Sequence, residues 1–486
     1  MTEPRYLLST LAAQATLQGV NVLQYDHPGQ GDSPPLPSAT EFTHLHAAFT
    51  AVMRHAASAG LPIGVLGYGI GNLLALDQAL GVEPTSRFLL APHFKDWSEP
   101  VASHALQHAT GDEAALWPMP EDTEAGLQPL WRVLVGEPIV PSQPCAPLPR
   151  GIVAGAKAAF QPALASSAIA QAVIVSDDPS DRRGERFASI DHEEDAVQPC
   201  WTWNAAARAR VAETFAEWLT SLGETPRAAS TSARLPGTYT DNTIRIDSVQ
   251  CAGVDALLYR PAYTEPELCL IYEPGVPGQR VDIHCCGQRL AQAAARSGLA
   301  CVVYDCRGQG LSGADFETVT WSSRFADHTA LLDNLQMHFG LDRIVAVGNS
   351  AGARVALKSA QNNPGVAGLV LWGPILKEPQ SEAAPARVTR APSGRLATEY
   401  CGLWLGLGYN IDERDHDYLD WLVRCDHRVR IVFAEDEQNA ENHDAVCAIA
   451  RRKPDISLLH LPGQHGFHPG AVRRAIDDAI TWASAL

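Results

Sequence analysis

Short apolar runs alternate with amphipathic or alanine-rich segments along the chain, and one order of segments occurs twice. Residues 11–19 have the pattern of an alanine-rich helix ended by a glycine. Residues 20–26 predict a buried strand, and a glycine-rich turn follows it. Residues 290–312 repeat these three segments nearly without gaps. The chain therefore carries an internal repeat.

Each copy continues through a further helix, a second strand, a tight turn and a third strand. The second and third strands are predicted over residues 62–67 and 87–91 in the first copy, and over residues 343–348 and 368–372 in the second. Alternating strands and helices indicate a parallel sheet that is covered on both faces. A repeat of this length indicates duplicated domains. The predicted fold class is a tandem of α/β domains with mostly parallel, doubly wound sheets.

The predicted domain boundary is a proline-punctuated stretch of small and polar residues. This linker spans residues 223–237, between a first domain at 1–222 and a second at 238–486. Terminal amphipathic helices are predicted at residues 204–222 and 472–486.

The two halves differ at their starts. The second half has opening strands near residues 243–249 and 256–259, an apolar strand at 268–272 and a turn at 273–278. The first half begins at its first helix, so its copy is predicted to be truncated. Two explanations are open: the first domain completes its sheet with help from the second, or the true start codon lies upstream.

Composition narrows the function classes. The chain has 486 residues, too many for one ordinary core, and its formal charge is 37 − 55 = −18. A net negative charge argues against nucleic acid or an anionic membrane surface as a partner. No basic segment precedes an apolar core at the N-terminus, and no apolar run reaches membrane-spanning length.

Cysteine usage favours reduced thiols in a cytoplasm. The chain has 11 cysteines, an odd number without regular spacing, and nine of them lie beyond residue 250. The run His284-Cys285-Cys286 is a weak metal signal, because neighbouring residues on a helix point about 100° apart and no spaced pair completes it. We therefore expect no metal and no cofactor.

The most informative motif is the turn after the second strand of each copy. Residues 348–352 read Gly-Asn-Ser-Ala-Gly, the pattern of a nucleophile elbow with Ser350 at its tip. Residues 67–71 read Gly-Tyr-Gly-Ile-Gly, so Gly69 occupies the position of the serine. Glycine has no nucleophile, which predicts a catalytic second half and an inactive first half, where Asp177, Asp178 and His192 have nothing to activate.

The second half orders its candidate residues as nucleophile, acid and histidine. After Ser350 comes the acidic cluster 435–437, at the end of the strand 430–434, and then His465, after the strand 456–461. A serine needs an imidazole to take its proton and a carboxylate to orient the imidazole. His468 is the alternative histidine.

The sequence identifies the acid and the oxyanion-hole donors less sharply than it identifies the serine. Spacing favours Glu437, with Asp436 as the alternative, whereas Glu435 is expected to face elsewhere. Ala351, directly after the serine, offers one backbone N–H for an oxyanion hole, and Val276 offers the other because its neighbours in the loop include prolines. A plain tight turn is the alternative to this oxyanion hole.

An insertion at residues 375–429 precedes the acid strand and is predicted to form a lid. Its aromatic residues either line an acyl or aryl pocket or pack the lid's own small core. They include Trp404, Tyr409, Tyr418 and Trp421. The first half has its own insertion at residues 95–171, for which capping, dimerisation and partner binding are all open.

The second half resembles the α/β-hydrolase superfamily in residues 305–312, 348–352 and 464–466. The first half has the same order of helices, strands and turns in the segments that it shares with the second half. Within this superfamily, the motifs of the second half resemble those of the serine-hydrolase group that includes esterases, thioesterases and serine aminopeptidases. Residues 24–33, 198–204 and 278–281 also make the tandem similar to hydrolase pairs associated with exosortase loci, although Ser350 differs from the nucleophile expected there. The resemblance implies work on acyl or carrier-bound substrates.

The sequence thus predicts a serine hydrolase that cleaves a carboxylic ester or thioester through an acyl-enzyme on Ser350. An acyltransferase with the same triad is one alternative, and a non-catalytic binding or scaffold protein is another. The expected partner is a small-molecule or carrier-bound acyl substrate; homo-oligomerisation is left open.

Overall fold

The protein folds as two compact units, Glu3–Ser232 and Ala233–Leu486, in a computed structural model. The structure describes residues 8, 11–12, 14–25, 41–68, 71–76, 81–90, 158–159, 167–176, 186–189, 205–222, 239–240, 243–276, 278–282, 285–377, 388–391, 394–400, 403–409, 416–437, 439–465, 467 and 469–486. Within this part of the chain, no helix has both the length and the apolar character needed to cross a bilayer.

The first unit contains a four-stranded parallel sheet. Its strands are β1 (Gly64–Tyr68), β2 (Ser86–Leu90), β3 (Val173–Ser176) and β4 (Arg186–Ser189), and its helices include α1 (Phe42–Ala57), α2 (Gly71–Ala75), α3 (Ser167–Ala170) and α4 (Ala205–Ser221). The strands pair in chain order, β1-β2-β3-β4. Phe88 of β2 packs against Phe215 and Trp218 of α4, with ring centroids 5.4 Å apart in both pairs. These aromatic contacts attach the terminal helix to the sheet.

The strand predicted at residues 20–26 is wrong over the residues that the structure describes. Residues 20–25 form no strand, and Val22 and Leu23 are exposed. Their counterpart in the second unit pairs on both sides, in parallel with one strand and antiparallel with another. No described strand of the first unit offers residues 20–25 either neighbour, so the backbone has no ladder to join. The helix before it ends as predicted at Gly19, where φ is 81°.

The second unit is built on a nine-stranded sheet. Its strands are β5 (Tyr239–Thr240), β6 (Ile244–Cys251), β7 (Val254–Pro261), β8 (Cys269–Glu273), β9 (Ala300–Asp305), β10 (Ile344–Asn349), β11 (Val366–Trp372), β15 (Arg428–Asp436) and β16 (Ile456–Gln464), while β12 (Val388–Arg390), β13 (Leu396–Tyr400) and β14 (Leu403–Gly406) form a separate antiparallel sheet. Its helices are α5 (Cys286–Arg296), α6 (Trp321–Phe339), α7 (Gly352–Asn362), α8 (Tyr418–Arg424), α9 (Ala440–Ala450) and α10 (Pro469–Ser484).

The large sheet has the order β16-β15-β11-β10-β8-β9-β7-β6-β5. All neighbours from β9 to β16 are parallel, whereas β7, β6 and β5 add antiparallel pairs at the other edge. The chain order reverses around β8 and β9, and an open parallel sheet places its sites outside the carboxyl ends of the strands near such a reversal. A mostly parallel α/β sheet is therefore confirmed for the second unit.

Helices cover both faces of this sheet. Every residue of β8, β9 and β10 is buried, which is why these strands read as continuous apolar runs. Alternate residues of the strands share one core with α5 and α10; members include Tyr272, Val347, Trp372 and Leu290. The eight cysteines in the described residues are free thiols.

Candidate active site

Ser350 lies in a strained turn between β10 and α7. Its φ is 53°, a left-handed backbone that L-residues rarely adopt. Two hydrogen bonds hold this turn: the Ser350 N–H donates to the Trp372 carbonyl at 2.7 Å, and the Ile375 N–H donates to the Ser350 carbonyl at 3.1 Å. The strain is thus maintained by the neighbouring β11 and the segment after it.

The glycines that flank Ser350 are required by close backbone packing. A Cβ at Gly348 would lie 2.6 Å from the Cα of Ala353, and a Cβ at Gly352 would lie 2.6 Å from the Pro274 carbonyl oxygen. Both distances are shorter than any real Cβ contact, so larger residues would push the strand, the helix and the loop after β8 apart. The turn therefore has no room for a side chain at Gly348 or at Gly352.

Ser350, His465 and Glu437 form a continuous chain of contacts. The Nε2 of His465 lies 3.0 Å from the Oγ of Ser350, and its Nδ1 lies 3.1 Å from Oε1 of Glu437. The Glu437 side chain is 5% exposed and that of His465 is 20% exposed. The acid is thus shielded from water, whereas one edge of the imidazole is accessible.

Asp436, the alternative acid, lies elsewhere. It is exposed, and its backbone pairs with Gln464 of β16. The register between β15 and β16 shifts between Ala434 and Asp436, so the alternation of side chains changes at the end of β15. This irregularity leaves Glu437 as the carboxylate that contacts His465. Glu435 is also exposed.

The imidazole of His465 lies close to Gly373, which precedes the insertion at residues 375–429. Gly373 has a φ of 47°, and a Cβ there would lie 3.2 Å from Cε1 and 3.3 Å from Nδ1 of His465. The same Cβ would lie 3.8 Å from Oε2 of Glu437. Any larger residue at Gly373 would press on the contact between His465 and Glu437.

The loop after β8 runs directly past Ser350. A Cβ at Gly275 would lie 3.2 Å from the Cβ of Ser350. The Gly275 N–H donates to Oδ2 of Asp282 at 3.2 Å, and Pro274 has no N–H. Val276 is half-buried and Ala351 is buried. Among the described residues, the N–H groups of Val276 and Ala351 have no hydrogen-bond acceptor.

Asp282 links this loop to the elbow. Besides the Gly275 N–H, its Oδ2 accepts hydrogen bonds from the Tyr272 hydroxyl at 2.7 Å and from Nδ2 of Asn349 at 3.0 Å. Asn349 is the residue before Ser350, and Tyr272 lies on β8. One carboxylate oxygen therefore fixes the position of the loop relative to β10 and Ser350.

A buried ion pair anchors the start of the same loop. Glu273 contacts Nη2 of Arg324 on α6, and this nitrogen also donates to the Pro274 carbonyl at 2.7 Å. The second carboxylate oxygen of Glu273 lies 3.2 Å from Nδ1 of His328. Cys306 Sγ lies 3.6 Å from Glu273, and burial raises the pKa of this thiol well above its ordinary value, so Cys306 remains a neutral thiol.

Replacing Arg324 with methionine should lower the free energy of unfolding by about 3–5 kcal/mol, because the Glu273 carboxylate would lose the main cation opposite it. Urea denaturation measures this loss. The double variant Arg324→Met, Glu273→Leu should recover part of it, since no lone buried charge remains.

The matched control is Arg424→Met, which removes an exposed pair with Asp420 on α8 and should change the stability by less than about 1 kcal/mol. An Arg324 variant as stable as this control would refute the anchoring role.

The aromatic residues of the insertion pack against α6. The ring of Tyr409 lies 4.8 Å from Trp321, and the ring of Trp421 lies 5.7 Å from Phe325. Tyr418 completes this cluster, and Nη1 of Arg324 reaches the Tyr409 hydroxyl at 3.5 Å. The insertion thus shares a core with the helix that anchors the loop after β8. Trp404, on β14, is only half-buried.

Sequence reasoning missed Asp282, Glu273 and Arg324. The sequence does contain a signal for Glu273 and Arg324. Glu273 directly follows an apolar strand, and Arg324, Asp327, His328 and Leu331 share one face of α6 at helical spacing. All four are buried. Charged residues on the apolar face of a helix indicate a buried partner, which here is Glu273.

Several predicted positions lie outside the described residues. They are Gly69, Asp177, Asp178, His192, His284 and His468. In the first unit, the glycine before the turn is described: a Cβ at Gly67 would lie 2.9 Å from the Cα of Asn72, five residues on. Gly348 makes the same approach to Ala353, also five residues on.

Comparison with known proteins gives a family match within the second unit. Residues 282–439 match the family described as serine aminopeptidase, S33. This segment includes Ser350 and Glu437 and ends before His465. A search of curated proteins gave no match.

Solved structures of similar fold each cover about half of the chain. Est1E from Butyrivibrio proteoclasticus with ferulic acid bound is 18% identical, with 49% of this chain and 99% of that chain covered and a TM-score of 0.41. An alpha-beta serine hydrolase homologue from Coxiella burnetii is 18% identical over 50% and 99%, with a TM-score of 0.37. The thioesterase domain from the curacin biosynthetic pathway is 17% identical over 49% and 100%, with a TM-score of 0.38. The match over residues 282–439 supports the resemblance of the second unit to the α/β-hydrolase superfamily.

Proposed function

We propose that the unit Ala233–Leu486 is a serine hydrolase that cleaves a carboxylic ester or thioester through an acyl-enzyme on Ser350. The observation that supports this most directly is the unbroken contact chain from the Ser350 hydroxyl through His465 to Glu437, at 3.0 and 3.1 Å. These are hydrogen-bond distances between a nucleophile, a base and an orienting acid. The sheet order and the family match favour the same chemistry.

In the acylation half of the reaction, His465 Nε2 takes the proton of Ser350 Oγ as the oxygen attacks the carbonyl carbon. Glu437, at Nδ1, keeps Nε2 unprotonated beforehand and stabilises the imidazolium that forms. The carbonyl oxygen becomes negatively charged. The Ala351 and Val276 N–H groups, which lack acceptors in the described part of the chain, would donate to it.

The intermediate then collapses, and the bond from the carbonyl carbon to the leaving oxygen or sulfur breaks. The imidazolium gives its proton to this leaving alkoxide or thiolate. In the second half, His465 takes a proton from water, whose oxygen attacks the acyl-enzyme, and then returns the proton to Ser350 Oγ. The net result is an acid and an alcohol or thiol. The acyl group is free or bound to a carrier.

The first unit, in this proposal, is a degenerate copy without a nucleophile. Its parallel strands β1 to β4 have the order that β10, β11, β15 and β16 have in the second unit. The close approach of Gly67 to Asn72 matches that of Gly348 to Ala353, so the turn pattern is retained. Gly69 stands in the serine's position in the sequence.

A fluorophosphonate probe followed by peptide mapping tests the proposal. We expect one adduct, on Ser350, because the probe reacts only with a serine that an adjacent base activates. His465→Ala should abolish the labelling, whereas His338→Ala, which changes an exposed histidine on α6, should leave it intact. No adduct on the folded chain would reject the hydrolase and favour a binding or scaffold role.

Product analysis then separates the reaction types. An ester, a thioester and an aminoacyl anilide are supplied with and without an alcohol or amine acceptor. Release of free acid from the ester or thioester, unchanged by the acceptor, is the expected result. Transfer of the acyl group to the acceptor would identify an acyltransferase instead.

A further inference from the structure

A second cluster of chemically reactive side chains lies on α9 and β16. His443 and Cys447 are four residues apart on α9, which places them on the same face of the helix. His460 lies on the neighbouring strand β16. Their ligand atoms all lie within 4.8 Å of one another. We call these three residues the thiol–imidazole cluster.

Two of the three distances within the cluster resemble those around a tetrahedral zinc ion, and the third, between His460 and Cys447, is within 4.8 Å. With Zn–N of about 2.0–2.1 Å and Zn–S of about 2.3 Å, tetrahedral geometry sets two nitrogens about 3.3–3.4 Å apart and a nitrogen and a sulfur about 3.5 Å apart. Nε2 of His443 lies 3.1 Å from Nε2 of His460 and 3.5 Å from Sγ of Cys447. Small rotations of the side chains would admit the ion.

Neighbouring side chains contact the two imidazoles and restrict their orientation. Nδ1 of His443 lies 3.2 Å from Oδ1 of the exposed Asp444; in the tautomer in which Nδ1 donates to this carboxylate, the Nε2 lone pair is directed into the cluster. The ring of Phe433 lies 4.8 Å from His443 and 6.2 Å from His460. A carboxylate behind a histidine ligand is a recurrent feature of zinc sites, and the aromatic contact restricts ring rotation.

The ligand set selects the kind of metal. Two imidazole nitrogens and one thiolate suit Zn²⁺ and other late transition-metal ions, whereas Mg²⁺ and Ca²⁺ require oxygen ligands. Cys447 is buried and His460 is exposed. The fourth position would therefore be filled by water or by an exogenous ligand from the solvent side.

We propose that His443, Cys447 and His460 bind one zinc ion. The ion would join α9, which begins shortly after Glu437, to β16, which ends directly before His465. It would thereby tie together the two elements that carry the acid and the histidine of the active site. Zinc binding itself does not depend on the proposed hydrolase activity.

The test is metal binding by the full-length protein after removal of metals with a chelator. Zn²⁺ is titrated in competition with a chromogenic chelator, and Co²⁺ is used as a spectroscopic probe. We expect one ion per chain and a thiolate-to-cobalt charge-transfer band. Cys447→Ser should abolish this band, and His460→Ala should weaken Zn²⁺ binding by more than about 100-fold, since even loss of an outer partner costs 10–100-fold.

Matched controls identify the site. Cys251→Ser and His338→Ala change a thiol and an imidazole on other elements and should leave the affinity unchanged. His465→Ala distinguishes this site from the catalytic one and should also bind Zn²⁺ normally. His460 is exposed, so its alanine variant is expected to fold, and circular dichroism checks this. Equal binding by the His460 variant and the wild type, or a Co²⁺ spectrum without a thiolate band, would overturn the proposal.

Discussion

Replacing Ser350 with alanine is expected to lower kcat for an ester or thioester substrate by about 10⁴-fold or more, with little change in the fold. The variant loses only the Oγ that contacts His465 at 3.0 Å. Alanine keeps the Cβ, and the backbone bonds that hold the positive φ of Ser350 do not involve the hydroxyl. Steady-state kinetics measure the loss, and thermal unfolding checks that the variant is folded.

The residual activity of this variant is informative. The N–H groups of Ala351 and Val276 remain, and oxyanion stabilisation without a nucleophile can still exceed the reaction in water by about 10³-fold. Ser484→Ala, an exposed serine on α10, is the matched control and should retain full activity. A Ser350→Ala variant within about tenfold of the wild type would assign the chemistry to another residue.

The architecture of the second unit was predictable because its local signals agree with its tertiary structure. Buried strands between helices read as apolar runs, and those at residues 268–272, 299–305 and 343–348 correspond to β8, β9 and β10. Gly298 ends its helix with a φ of 89°, as the glycine pattern predicts. Each of these signals lies within a few residues of the element that it specifies.

Features that depend on distant partners were not predictable in the same way. Residues 20–26 have a strand pattern, but a strand forms only where another strand supplies hydrogen-bond partners. The packing of Tyr409 against Trp321 likewise joins segments far apart in sequence. The thiol–imidazole cluster needs His460 from β16 beside a pair on α9, so its spacing in the sequence gives no regular motif.

The sequence favours Glu437 over Asp436 only weakly, and the reason is geometric. Adjacent residues of a strand point to opposite faces, so a shift of one residue exchanges Asp436 and Glu437. The irregular register between β15 and β16 lies at this position. Spacing alone therefore favours Glu437 only weakly, whereas its side-chain position, 3.1 Å from Nδ1 of His465, makes a testable distinction.

Glu437→Gln is expected to lower kcat by about 10³–10⁴-fold, and Asp436→Asn by less than about threefold. The glutamine amide occupies almost the same volume as the carboxylate but has no charge to stabilise the imidazolium of His465, and its NH₂ group favours the wrong tautomer. Asp436 is exposed and makes no contact with His465 within the described residues, so its amide variant changes only surface charge.

Both variants replace one carboxylate with its amide at neighbouring positions, which makes each the control for the other. The rates are compared at saturating substrate, after urea denaturation has shown that both proteins are equally folded. Because Glu437 acts through His465, its loss should reduce fluorophosphonate labelling of Ser350 along with kcat. If Asp436→Asn lost more activity than Glu437→Gln, the acid would approach His465 from the other side of β15 during catalysis, and the contact at 3.1 Å would not be the catalytic one.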